Sequence, residues 1–244
     1  MSFDLSGRTA LVTGSTRGIG NALARALAAA GARVAINGRT AEAVEAVVAD
    51  VEGSVAAPFD VTDEAAIAGA VAALGPVDIL VNNTGITIRR ALVELEPEEW
   101  RQMLDVNLTS AFLVARAVAP GMIERSSGKV INICSVMSEL ARPTVGAYAA
   151  TKGALKMLTR SMCAEWAQHG IQANGIAPGY FRTDLNKQLQ DDAEFDAWLR
   201  VRVPAGRWGE PDELGGAVVF LASPASDFVN GQILIVDGGL SAVV

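Results

Sequence analysis

The sequence predicts an α/β chain of one domain, residues 1–244: a doubly wound, seven-stranded parallel sheet flanked by helices on both faces. Three observations predict it. Strand-like and helix-like segments alternate from end to end. The fourth strand, VDILVNNTG, is continuously apolar until its polar end, the pattern of a strand covered on both sides. No linker rich in Pro, Gly or Ser, no repeat and no low-complexity stretch divides the chain.

The elements follow in order. TALVTGS is a short β-branched run that ends in a glycine loop. IGNALARALAAAGA places Ile19, Leu23, Ala26, Leu27 and Ala30 on one helical face and stops at Gly31. RVAINGR is the second strand and TAEAVEAVVADV the second helix, with Thr40 placed to cap it. VAAPFDV and DEAAIAGAVAAL form the third pair. VDILVNNTG is the fourth strand, followed by a helical stretch from Pro97 to about Glu124. GKVINICSV is the fifth strand, and the next helix runs from about Val145 to His169. IQANGIAPG is the sixth strand, with helical segments after it near 185–199 and 211–223, and QILIVDGG the seventh strand.

Composition removes several function classes. A net charge of −7 argues against a general binder of nucleic acid or anionic membranes. No uninterrupted apolar run approaches the roughly 18 residues of a membrane helix. The start, MSFDLSGRTA, does not read as a signal peptide. Two cysteines, Cys134 and Cys163, make neither a disulfide framework nor a metal spacing and read as reduced thiols of a cytoplasmic protein. His169 is the lone histidine, so a Ser-His-Asp hydrolase and a zinc site both lack their parts. No metal is expected.

The loop Gly14-Ser15-Thr16-Arg17-Gly18-Ile19-Gly20 lies between the first strand and the first helix. Helix N-termini there present free N–H groups to phosphates, and glycines let the backbone approach closely. At the end of strand two, where a carboxylate would bind a ribose 2′-hydroxyl, stand Asn37, Gly38 and Arg39. Arg17 and Arg39 can fork onto the extra phosphate of NADP(H). The bland alternative, two solvated surface charges, stays open at this point. Further on, Tyr148 and Lys152 lie four apart on a helix, hence on one face.

With TGSTRGIG, NNTG at 82–85, Asn107 in DVNL, Ser135 thirteen residues before Tyr148, YAATK and PGYFRT, the chain resembles the short-chain dehydrogenase/reductase family over nearly its full length. Thr84 departs from the alanine usual in that family. The resemblance implies a Rossmann-like fold and a catalytic set of Asn107, Ser135, Tyr148 and Lys152. Tyr148 would be the acid/base, its pKa lowered by Lys152; Ser135 would hold the reacting oxygen; Asn107 would hold a relay water. Asp60 and Val61 would meet the adenine, Asn83 and Gly85 the cofactor, and Pro178, Gly179 and Thr183 the carboxamide.

Several stretches, mainly in the C-terminal half, resemble family members that act on gluconate. They imply a sugar-acid or polyol substrate, D-gluconate exchanged with 5-dehydro-D-gluconate. A 3-oxoacyl-carrier-protein reductase or another carbonyl reductase is the second reading, and a non-catalytic cofactor-binding regulator the third. Arg89, Arg90, Glu139 and Arg142 lie on loops at strand carboxyl ends and are candidate substrate contacts. Residues 183–206 read as a polar lid. The family resemblance also implies a homotetramer.

Overall fold

The computed structural model describes residues 3–243. β1 (Thr9–Val12) leads through the glycine loop into α1 (Gly18–Ala29). β2 (Arg33–Gly38), α2 (Ala41–Asp50), β3 (Val55–Pro58) and α3 (Glu64–Leu74) complete the first half. Then come β4 (Ile79–Asn82), α4 (Pro97–Leu104), α5 (Ser110–Glu124), β5 (Gly128–Ile133), α6 (Gly146–Trp166) and β6 (Ile171–Pro178). α7 (Lys187–Gln190), α8 (Ala193–Arg202), α9 (Gly215–Ala222) and β7 (Ile233–Val236) close the fold. Among the described residues the strands form one sheet of seven in the order β3-β2-β1-β4-β5-β6-β7, every pairing parallel.

Alternation within each strand divides the core in two. Val12, Val34, Ile36, Val81 and Ile131 pack with Leu23 and Leu27 of α1, Val44 of α2 and Val218 of α9. Leu11, Ala35, Leu80 and Val130 pack on the other face with Ile67 of α3, Val114 and Met122 of α5 and Met162 of α6. Both faces are covered, and polar side chains that the central strands carry, Asn82, Asn132 and Asn174, are buried with them. The edge strands β3 and β7 are only half covered.

Local signals behave as sequence reading expects. Thr40 accepts from Ala43 N at 3.4 Å, and Gly31 ends α1 with φ +99°. Asp63, read from the sequence as the first residue of the third helix, instead caps α3 from just outside it, accepting from Ala66 N at 3.0 Å. The predicted helix 97–124 differs. A π-helical turn, Asp105–Thr109, separates α4 from α5. The same stretch reaches a mean hydropathy of 1.4 over 18 residues, long and apolar enough by length and composition to cross a membrane, although polar residues such as Asn107 and Arg116 interrupt its apolar run. Its apolar side chains Val114, Val118 and Met122 pack on the sheet, as in a core helix.

α6 is tied to the sheet by a buried polar chain. Asn82 Nδ2 of β4 donates to Asn132 Oδ1 of β5 at 2.9 Å, and Asn132 Nδ2 donates to Thr159 Oγ1 of α6 at 2.8 Å. Removing the middle member takes a hydrogen bond from each of two buried partners. Asn132→Ala is expected to cost about 2–3 kcal/mol, read as a lower urea midpoint with an unchanged m-value.

Candidate active site

The strand order reverses beside β1: the chain winds outward to β3, then returns to β4 on the other side. Connections diverge there and leave a cleft of about 1400 Å³ at the carboxyl ends of the strands.

One wall is the glycine loop. Gly14 and Gly18 have φ of +61° and +55°, and α1 begins after Arg17 without a side-chain cap, leaving its first N–H groups to the cleft. Asn37 braces the loop from below. Its Oδ1 accepts from Gly14 N at 3.0 Å, while its Nδ2 donates to Ala57 O at 3.0 Å and Phe59 O at 3.1 Å. Asn83 Nδ2 donates to Thr13 O at 2.9 Å and Gly14 O at 3.1 Å from the other side. Ser15, expected on the cleft wall, is turned inward: Oγ donates to Val12 O at 2.7 Å and accepts from Asn37 N at 2.9 Å.

Thr16, Arg17, Ile19, Gly20, Arg39, Asp60, Val61, Gly85, Pro178, Gly179 and Thr183 line the same cleft. Hydrogen bonds from Thr62, with help from the positive charge of Arg39, hold the Asp60 carboxyl below its ordinary pKa. The hydroxyls of Thr84 and Thr87 and Nε of Arg89 are buried without a partner. An uncapped helix start, a close-approach glycine loop and orphaned polar atoms along one cleft fit a dinucleotide.

Ser135 follows β5, and α6 carries Tyr148 and Lys152, so β5 and α6 bring the three together. Lys152 is buried and its Nζ donates to Ile133 O at 2.7 Å. Burial pulls its pKa down to about 8. Tyr148 is pushed the other way. Burial raises its pKa, while a hydrogen bond to Ser135 and the charge of Arg89 pull it back. The expected lowering by Lys152 is therefore not the arrangement found: Nζ lies 5.8 Å from the centroid of the Tyr148 ring and is directed at a backbone carbonyl.

Asn107 stands behind the cleft in the π-helical turn. Its Oδ1 accepts from Ile86 N at 2.7 Å, and its Nδ2 donates to Ile86 O at 2.9 Å and Thr151 Oγ1 at 3.1 Å. Both ends of the amide are engaged, so it fixes the loop after β4. Cys134, read from the sequence as a reduced thiol, is free and buried and also lines the cleft, where burial pushes its thiol up to about 11.

Of the four candidate substrate contacts, two lie in the cleft. Arg89 is half-buried and donates to Leu185 O at 3.4 Å and Asn186 Oδ1 at 3.3 Å. Arg142 donates to Tyr180 Oη at 3.3 Å and sits 4.9 Å above the Phe195 ring. Arg90 is drawn away by Glu99, 2.7 Å distant, and Glu139 by Lys156. Neither lines the cleft; an opposite charge nearby on the surface satisfies each. Tyr180 went unnoticed in the sequence. The signal was there in the aromatic residues 180, 195, 198 and 208: the Tyr180 ring packs edge to face against Phe195 and Trp198 of the lid and against Trp208. Among the described residues no three His, Cys, Asp or Glu side chains converge as metal ligands would.

A family model described as enoyl-(acyl carrier protein) reductase matches residues 14–241, across the glycine loop, Ser135, Tyr148 and Lys152. The chain belongs to the short-chain dehydrogenase/reductase family. Within that family it is 53% identical over 250 residues to 5-keto-D-gluconate 5-reductase of Escherichia coli (strain K12), covering 99% of this chain and 98% of that one. Gluconate 5-dehydrogenase of Gluconobacter oxydans (strain 621H) is 52% identical over 98% of this chain and 96% of its own length. The crystal structure of a gluconate 5-dehydrogenase from Burkholderia cenocepacia J2315, in complex with NADP and tartrate, superposes with a TM-score of 0.96 at 56% identity, covering 100% of this chain and 98% of that one.

Thr84 stands where the family usually has alanine, and an ideal Cβ on Gly14 would meet its Oγ1 at 2.9 Å. An apolar side chain of the same shape would remove a buried unpaired hydroxyl. Thr84→Val is expected to stabilise the ligand-free chain by about 1 kcal/mol, seen as a rise in Tm of about 2–4 °C.

Proposed function

We propose that this protein is an NADP(H)-dependent oxidoreductase that interconverts D-gluconate and 5-keto-D-gluconate. The observation that carries the reading is the meeting, in one cleft, of Ser135, Tyr148 and Lys152 with the guanidinium groups of Arg89 and Arg142. The similarity to relatives named for this pair of sugar acids supports it. An acyl-chain reductase would favour an apolar trough; this wall carries two cations and the polar lid residue Asn186. A regulator without catalysis has no use for the retained Tyr148 and Lys152.

The cofactor, when bound, supplies hydride chemistry. Gly14 to Gly20 would cradle its phosphates, with Ser15 acting from beneath, and Arg17 and Arg39 would take the 2′-phosphate. Asp60 and Val61 would flank the base, and Asn83, Gly85, Pro178, Gly179 and Thr183 the remainder. Tyr148 holds the proton that the substrate oxygen gains in reduction and loses in oxidation, and Ser135 orients that oxygen. Lys152 places a cation behind them, and Arg89 with Arg142 takes the substrate carboxylate. Residues 1–244 act as one domain, with 183–206 as the lid.

We also assign a homotetramer and a cytoplasmic location. Phe112 and Met157 lie exposed on α5 and α6, and Leu234 and Ile235 on the edge strand β7, so two separate faces offer apolar surface to further copies.

Tyr148→Phe is expected to lower turnover by about 10²–10⁴-fold while leaving NADPH binding intact. Because burial raises the Tyr148 pKa, its proton persists through neutral pH. Reduction should hold there and fall in alkali, while oxidation climbs as the proton leaves; pH–rate profiles in both directions test the sign. Arg89→Gln is expected to raise KM for 5-keto-D-gluconate by about 10–100-fold and to spare an uncharged ketone. Equal loss on both ketones would remove the carboxylate assignment.

A further inference from the structure

Arg17 is turned toward the lid. Its NH1 lies 3.6 Å from Asp184 Oδ2, and both side chains are about three-quarters exposed. The same segment passes close to the glycine loop: a Cβ added to Gly18 would sit 3.8 Å from the Thr183 side chain. The start of the lid has other anchors. Arg89 holds Leu185 O and Asn186, and further along Arg142 sits 4.9 Å above the Phe195 ring. Docking of the lid therefore does not depend on the Arg17–Asp184 pair.

We propose that Asp184 is a coenzyme-selectivity residue, a carboxylate that competes with the 2′-phosphate of NADP(H) for Arg17. The inference rests on the reading of Arg17 as a ligand of that phosphate. An exposed ion pair at 3.6 Å is weak and exchanges readily. A phosphate brings more charge and a better match to the guanidinium fork, so it displaces the carboxylate. The displaced carboxylate stays near on the anchored lid and repels the incoming charge. NAD(H), with no phosphate at that position, does not enter the competition. Asp184 thus holds the preference for NADP(H) below what Arg17 alone would give, and it links coenzyme binding to one of the lid contacts.

The test is a two-residue cycle on the full chain. NADPH and NADH are titrated separately by their own fluorescence into wild type, Asp184→Asn, Arg17→Gln and the double variant. Asp184→Asn is expected to tighten NADPH by about two- to fivefold and leave NADH unchanged. The gain should shrink at high salt and vanish in the Arg17→Gln background. Arg17→Gln by itself should weaken NADPH by more than it weakens NADH. If it does, and Asp184→Asn leaves the NADPH Kd unchanged or shifts both coenzymes equally, the competition is overturned and the phosphate reading stands. If Arg17→Gln leaves NADPH binding untouched, the phosphate reading falls, and the proposal with it.

Discussion

The cleft depends on one constraint: β1 pairs in parallel with both β2 and β4, and the chain leaves it in opposite senses. A parallel sheet delivers all its strands to the same edge. At the point where the winding reverses, no crossover helix covers that edge. The glycine loop, the 83–89 segment and Ser135 all arrive there for that reason. Each lies just past the end of its strand.

The second requirement is a fixed position for α6. Lys152 is held to Ile133 O of β5 about two turns before Thr159, which Asn132 holds to the same strand. These bonds bury polar groups that would be costly unpaired, so the helix has one register against the sheet. That register brings Tyr148 to Ser135. The burial that sets the position also sets the chemistry, raising the tyrosine pKa and lowering that of the lysine.

Arginines do double duty around the cleft. Arg17, Arg89 and Arg142 come from the loops after β1, β4 and β5, and each touches the segment 180–195. The groups suited to anionic ligands are also the ones that hold the lid, so charge in the cleft and lid position are linked.

The sequence by itself determined the sheet, the helices on both its faces and the glycine loop, because apolar periodicity, caps and glycine positions act over a few residues. It also placed Tyr148 and Lys152 on one helical face, a matter of spacing alone. What only the tertiary structure decided is where long polar side chains go. Arg90 and Arg89 are neighbours in sequence, yet Glu99 draws one to the surface and the lid takes the other. Ser15 turns inward to Asn37, and Asn107 uses its amide on Ile86, because partners distant in sequence supply the hydrogen bonds. The same holds for the direction of the Tyr148 shift: desolvation depends on everything packed around the ring, and no local spacing encodes it.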